Sequence, residues 1–110
     1  MKVKLSKIAY TRSGDKGPNV NIGVVFKNVK IYNWAIDNFT TEVLKDYFKE
    51  IVKGDIVRYN LPNINSLNFI LNDCLEGGGS ETLINDAQGK TFGQSLSMID
   101  LEIPDDLIDE

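Results

Sequence analysis

Apolar residues recur with a period of two near the start of the chain, which is typical of β-strands. One strand is predicted over residues 19–26, whose apolar positions alternate: Val20, Ile22, Val24 and Phe26. Residues 3–10 alternate as well, but the phase shifts once between Leu5 and Ile8, so we expect a β-bulge there. The two strands are predicted to pair as a hairpin with a long loop over residues 11–18.

Helical spacing follows this hairpin. The first helix is predicted over residues 31–38, and its buried face consists of Ile31, Trp34 and Ala35. The second begins after Thr40, a favourable N-cap residue, and Gly54 is placed to end it. Its apolar stripe consists of Val43, Leu44, Tyr47, Phe48 and Ile51.

The second half of the chain is predicted to add one helix and three short strands. The helix starts at Pro62 and stops at the glycines 77–79, with an apolar stripe of Ile64, Leu67, Leu71 and Cys74. The strands cover residues 56–61, 80–85 and 92–103, and a phase switch in the last one indicates a further bulge. The order β-β-α-α-β-α-β-β favours an α+β fold, in which helices cover one face of a mostly antiparallel sheet.

Composition narrows the class of protein. The chain has 110 residues, enough for one domain with its own core, and a formal net charge of −4. A general nucleic-acid binder needs a basic surface, so this charge argues against one. No apolar run approaches the roughly 20 residues of a membrane helix, and the N-terminus lacks the apolar region of a signal peptide. We therefore expect a cytoplasmic protein that binds neither nucleic acid nor membrane.

Two residue types limit the chemistry. The chain contains no histidine and one cysteine, Cys74. Histidine-dependent triads, histidine-held zinc, internal disulfides and iron–sulfur clusters are therefore excluded. We expect no metal and no cofactor, and we expect Cys74 to lie in the core.

The charges are distributed unevenly. Residues 1–30 carry seven basic side chains and one acid, whereas residues 73–110 carry ten acids and a single base, Lys90. One interpretation is a solvated acidic tail over residues 104–110, following a domain over residues 1–103. The other is that the basic start and the acidic end attract each other, within a monomer or between subunits.

The densest polar feature is the predicted loop that follows the first strand. It offers backbone N–H groups beside two glycines, a guanidinium for two-point contact with an anion and a lysine point charge. The candidate residues are Arg12, Ser13, Gly14, Asp15, Lys16 and Gly17, with Asn19 and Asn21 just after them. Spacing alone leaves two alternatives open, a self-satisfied turn and a ligand or interface site. The loop lacks the P-loop pattern.

Two further glycine-containing segments are candidates. Gly77, Gly78 and Gly79 with Ser80 offer either a flexible connection or a surface for close backbone approach. The segment 86–91, which includes Gln88 and Lys90, is either a hairpin turn or part of a site. The two segments flank one short predicted strand, so the first loop can easily cooperate with only one of them.

Together these segments resemble a known family. The motifs are Thr11-Arg-Ser-Gly-Asp-Lys-Gly17, Asn21-Ile-Gly23, Arg58-Tyr-Asn-Leu-Pro62, Leu67-Asn-Phe69, Leu75 with Gly77-Gly-Gly-Ser80, and Asp86-Ala-Gln-Gly-Lys90. They are similar to the ferredoxin-fold domain of the acyclic terpene utilisation (AtuA-like) proteins, over roughly residues 4–103. Pro18-Asn19 and the acidic tail depart from the commoner pattern.

The resemblance implies a ferredoxin-like α+β architecture without an iron–sulfur cluster. In that family the domain usually follows a large α/β domain, and some members encode it as a separate small chain, which this sequence resembles. The implied role is a non-catalytic small subunit that partners an AtuA-type large subunit in acyclic terpene or branched acyl-CoA breakdown. No catalytic residue carries over. The alternatives are a stand-alone enzyme or binding protein that holds an acyl-CoA or a carboxylate through Arg12 and Lys16, and a homo-oligomer.

Overall fold

The centre of the fold is a four-stranded antiparallel sheet. The computed structural model describes residues 1–16, 19–49, 51–74 and 92–108. The elements in chain order are β1 (Lys2–Lys4), α1 (Leu5–Ile8), β2 (Ala9–Lys16), β3 (Asn19–Phe26), α2 (Val29–Asn38), α3 (Thr41–Tyr47), β4 (Ile56–Leu61), a 3₁₀ turn (Pro62–Ile64), β5 (Ser66–Leu71), α4 (Phe92–Leu96), β6 (Asp100–Glu102) and a second 3₁₀ turn (Asp105–Leu107).

The large sheet has the strand order β2-β3-β5-β4, and each pair of neighbouring strands in it is antiparallel. A second, two-stranded sheet joins β1 to β6 near the two ends of the chain. Helices and an antiparallel sheet confirm the predicted α+β class. Among the described residues, no helix is long and apolar enough to cross a bilayer.

The core lies on the helical face of the large sheet. Alternate residues of β3 and β5 point into it, and Ile22, Val24, Leu67, Phe69 and Leu71 are each fully buried. Phe39, at the end of α2, meets Phe69 edge-on with ring centroids 5.6 Å apart. The sheet and the helices therefore share one apolar layer, which Cys74 joins as a buried residue, as expected.

The two helices after β3 confirm the spacing argument, although Gly54 does not end the second one. The chain leaves α3 after Tyr47. Gly54 lies beside β5 instead, where a Cβ would stand 2.7 Å from the backbone oxygen of Asn72. The close approach of two backbones explains this glycine.

The two bulges predicted from phase switches are short helices. The shift between Leu5 and Ile8 is the single turn of α1, which separates β1 from β2. The predicted strand over residues 92–103 begins as helix α4 and becomes extended only at β6. One helical turn changes the side on which an apolar residue emerges, as a bulge does.

The predicted third helix is wrong, because residues 66–71 form β5 between β3 and β4. Leu67 and Leu71 are four residues apart, a spacing that suits a helical face and a strand face equally. Phe69 between them is fully buried too. Residues 67, 69 and 71 share one face only in a strand, where the side chains alternate with a period of two. Asn65, at φ 52°, turns the chain from the 3₁₀ turn into β5. The predicted strand 80–85 and the turn 86–90 lie outside the described residues.

The predicted long loop is also wrong, because β2 continues to Lys16 and its register with β3 ends at the Lys16–Asn19 pair. The polar residues 11–16 are therefore strand residues. Hydrophobic periodicity does not detect this part of the strand, because residues 11–16 contain no large apolar side chain and therefore no alternation of apolar and polar positions.

Candidate functional site

The polar residues of β2 are divided between two faces of the sheet. Successive strand residues point to opposite sides. Thr11 and Ser13 point toward α4 and are half-buried, whereas Arg12 and Gly14 point to the opposite face and are exposed. The predicted loop therefore supplies two separate sets of groups, which cannot converge on one ligand.

The inward set binds the start of α4. The Thr11 hydroxyl donates to the backbone oxygen of Gly93 at 2.9 Å, and the Gly93 N–H donates to Ser13 Oγ at 3.0 Å. A Cβ on Gly93 would stand 3.2 Å from the backbone carbonyl carbon of Arg12. Thr11, Ser13 and Gly93 thus form a close contact between strand and helix. With its oxygen accepting from Gly93, Ser13 has a structural role.

Asn19, at the start of β3, contacts the chain just after β5, as Thr11 and Ser13 contact the start of α4. Its Oδ1 accepts the backbone N–H of Asp73 at 2.9 Å. The β2–β3 hairpin therefore binds the chain just before residues 75–91 and, through Gly93, just after them. Gly77, Gly78, Gly79, Ser80, Gln88 and Lys90 lie within 75–91, outside the described residues, as does Gly17.

Among the candidates whose side chains the structure describes, Arg12 of the outward set carries a free charged group. Arg12 is exposed, and no described residue hydrogen-bonds or ion-pairs with its guanidinium. Its strand neighbour across the hairpin is Gly23, followed by Asn68 on β5. Asn21 is half-buried opposite Gly14. Asp15 and Lys16 are placed by backbone register only, opposite Val20 and Asn19.

The face that carries Arg12 forms three rows across the sheet. Register aligns each row over β2, β3, β5 and β4: Tyr10, Val25, Ser66 and Leu61; Arg12, Gly23, Asn68 and Tyr59; Gly14, Asn21, Ile70 and Val57. We call these twelve residues the open face. Large apolar residues on it are exposed, namely Tyr10 at 66%, Tyr59 at 54%, Leu61 at 41%, Val57 at 38% and Val25 at 36%. Ser66 alone is buried in its row.

The open face is apolar with a positive charge. It contains Arg12 and no carboxylate, and the ammonium of Lys27 lies 5.4 Å from the ring centroid of Tyr10 at its rim. Such a surface suits a partner that presents apolar groups and a negative charge. The hydrophobic pattern alone does not identify Tyr10, Val57, Tyr59 and Leu61 as members of this surface. The alternation of residues 56–61 was visible, but identifying which face stays uncovered requires the sheet order.

Arg58, the other arginine of the chain, has a structural environment. Its Nη1 donates to the backbone oxygens of Ile36 and Phe39 at 3.0 and 3.1 Å. These carbonyls belong to the C-terminal end of α2, where cations are favourable. This contact gives Arg58 a structural role.

The basic start and the acidic end of the chain meet within the monomer. Lys4 pairs with Asp100 at 2.9 Å, and the amino group of Met1 lies 3.2 Å from both Glu102 and Asp105. Hydrogen bonds to Glu102 and Asp105 raise the pKa of the Met1 amine. Leu107 and Ile108, beyond Pro104, pack partly buried against the core. Among the described residues, no three acidic or cysteine side chains cluster as a metal site would require.

The sequence model of the AtuA ferredoxin-like domain family matches residues 3–103. The chain belongs to this family. Searches of curated proteins and of solved structures gave no match. The AtuA ferredoxin-like domain thus covers every described element from β1 to β6, including the hairpin, α4 and the open face.

Proposed function

We propose that this AtuA ferredoxin-like domain is a non-catalytic accessory subunit that docks on an AtuA-type large protein through its open face. The observation that carries the proposal is the exposure of five large apolar side chains on one sheet face around Arg12. Monomeric proteins seldom expose a contiguous apolar patch of this kind without a binding role.

The choice of partner rests on family and charge. The domain family is named for the AtuA proteins, and in the family that the motifs resemble the domain usually follows a large α/β domain, which supports such a partner. The open face carries Arg12 and no carboxylate, so a second copy of it would supply no negative charge; the complementary surface that we propose belongs to another protein and carries a carboxylate. The metabolic setting we propose is cytoplasmic breakdown of acyclic terpenes or branched acyl-CoA thioesters.

The test is co-purification with the AtuA-type large protein encoded beside this chain, followed by affinity measurement. Arg12→Glu and Tyr10→Ser alter the open face. Lys45→Glu makes the same charge change as Arg12→Glu at an exposed position of α3, away from that face. We expect each open-face variant to weaken binding at least about tenfold, since a charged contact and a buried large apolar side chain each contribute about 1.5–3 kcal/mol. Lys45→Glu should bind as the unaltered chain does. No association, or equal binding by all variants, would reject the proposal.

A second candidate is a stand-alone protein that binds an acyl-CoA or a carboxylate. The observation that favours it is the exposed guanidinium of Arg12, which has no partner among the described residues and lies opposite Gly23, a residue without a side chain. Arg12→Ala should then weaken the measured affinity for a short acyl-CoA by about 1.5–3 kcal/mol. If titration calorimetry gives the same affinity for both proteins, or no binding to either, this candidate fails.

A further inference from the structure

Among the described residues, no strand pairs with the outer edge of β4. β4 is the last strand of the order β2-β3-β5-β4, and its only described strand partner is β5. An uncovered edge presents a row of backbone N–H and C=O groups that can pair with another strand. The side chains of this strand determine whether such pairing is favourable.

Backbone hydrogen bonds show which residues of β4 present those groups. The Phe26 N–H donates to the backbone oxygen of Asn65, the residue just before β5. Because the direction of backbone hydrogen bonds alternates along a strand, the odd-numbered residues of β5 bond toward β3 and the even-numbered ones toward β4. The Asn72 N–H donates to Asp55, which agrees with this alternation. On β4 the partners of the even-numbered β5 residues are 57, 59 and 61. Ile56, Arg58 and Asn60 therefore direct their backbone groups outward.

The sequence and register of β4 lack the features by which edge strands prevent association. Edge strands are usually protected by proline, lysine, a bulge or a covering element. β4 contains no proline and no lysine, and its register with β5 runs without interruption over six pairs. Its one charged side chain, Arg58, is directed to the end of α2 rather than past the edge.

The sequence of β4 is complementary to a second copy of itself in one antiparallel register. If Tyr59 lies opposite Tyr59 of the other copy, Val57 lies opposite Leu61 and Arg58 opposite Asn60, so apolar residues face apolar ones. A register centred on Arg58 would oppose two positive charges. A register centred between two residues would place the open face of one copy beside the helical face of the other.

We propose that the protein forms a symmetric homodimer through β4, with Tyr59 at the two-fold axis. The large sheet then becomes continuous over eight strands, since each copy contributes four. Arg58 and Asn60 exchange backbone hydrogen bonds across the interface, twice by symmetry. Tyr59 forms the closer, non-hydrogen-bonded pair at the centre. This contact uses the backbone edge of β4, and the two open faces then lie side by side on one surface of the continuous sheet, so it does not depend on the proposed docking function.

Asn60→Pro tests the dimer. Asn60 directs its N–H outward, so proline removes interfacial hydrogen bonds and leaves the ladder with β5 intact. Asn60→Ala keeps the N–H and is the matched control. Light scattering should give twice the chain mass of 12.3 kDa for the natural protein and for Asn60→Ala. Asn60→Pro should give the single chain mass with an unchanged far-ultraviolet circular dichroism spectrum.

Oxidative cross-linking tests the register and works even if the proline variant fails to fold. Tyr59→Cys places two thiols opposite each other and should give a disulfide-linked dimer on a non-reducing gel. Leu61→Cys faces Val57 of the other copy and should stay monomeric on that gel, whereas the double variant Leu61→Cys, Val57→Cys should link. The natural Cys74 is buried and contributes little background.

Other outcomes would overturn this proposal. A natural chain of single mass up to high micromolar concentration excludes the homodimer. A dimer that survives Asn60→Pro and is not linked by Tyr59→Cys uses another surface. If Asn60→Pro instead abolishes binding to the AtuA-type large protein, the edge belongs to that partner. Arg12→Glu affects only the open face, so the failure of docking and the failure of dimerisation are distinguishable.

Discussion

Adjacent residues of the β2 segment have different roles because a strand directs them to opposite faces. Thr11 and Ser13 hold α4 through Gly93, and Arg12 between them is exposed without a described partner. Within this short motif, Thr11 and Ser13 therefore have a structural role, and Arg12 is available for binding. Mutations at neighbouring positions should separate stability from affinity.

At this scale we expect Ser13→Ala and Thr11→Val to destabilise the protein by about 1 kcal/mol each, because each removes a half-buried hydrogen bond to Gly93. Arg12→Ala should change stability by less than about 0.5 kcal/mol, as an exposed substitution does. Urea denaturation with a common m-value gives the three differences. Equal destabilisation by all three would contradict the division of the motif between two faces.

Among the elements, β4 and α2 depend on each other through Arg58. The guanidinium satisfies two carbonyls at the helix end, and the strand that carries it is anchored to β5. A cation at this end also interacts favourably with the helix dipole. The edge strand is thereby fixed to the helical layer as well as to the sheet.

Arg58→Ala should therefore reduce the free energy of unfolding by about 2 kcal/mol, since it removes a charged donor shared by two carbonyls. Arg12→Ala is the matched control, because it deletes the same side chain from the exposed face. The expected readout is a lower thermal midpoint for Arg58→Ala alone. Comparable midpoints for both variants would show that the contacts with Ile36 and Phe39 contribute nothing measurable.

Whether an element can be predicted from the sequence depends on how many apolar residues it contains, because these residues define the period of its hydrophobic pattern. Strands 19–26 and 56–61 and the two helices after Phe26 contain enough apolar positions to distinguish a period of two from one of 3.6. Leu67 and Leu71 fit both periods, and single helical turns such as α1 are shorter than the pattern needs. The candidate site was found in part. Arg12 was identified as a polar candidate, but its apolar surroundings come from four strands that only the sheet order brings together.

In the whole molecule, charge connects the two ends of the chain. The net charge of −4 conceals a basic start and an acidic end, which meet where β1 pairs with β6. The ion pairs of Lys4 and Met1 lie at this junction and are exposed. Their contribution depends on salt and on pH.

The raised pKa of the Met1 amine gives the pH dependence a definite sign. A group whose folded-state pKa exceeds its unfolded value of 8.0 stabilises the fold fully below that pH. The stabilisation is lost as the pH rises through the folded-state pKa. The double variant Glu102→Gln, Asp105→Asn lacks the partners. The difference in urea midpoint between it and the natural protein should be largest near pH 7 and shrink toward pH 10. A constant difference would contradict the linkage.

The pairing of β1 with β6 also orders the events of folding. The β4–β5 contacts close loops of a few residues, whereas Lys2 must find Glu102 across the whole chain. The entropy cost of closure rises with loop length, and contacts of high sequence separation form slowly. The local hairpins are therefore expected in the folding transition state, and the junction of the two ends closes afterwards. Weakening that junction then accelerates unfolding and leaves the folding rate nearly unchanged.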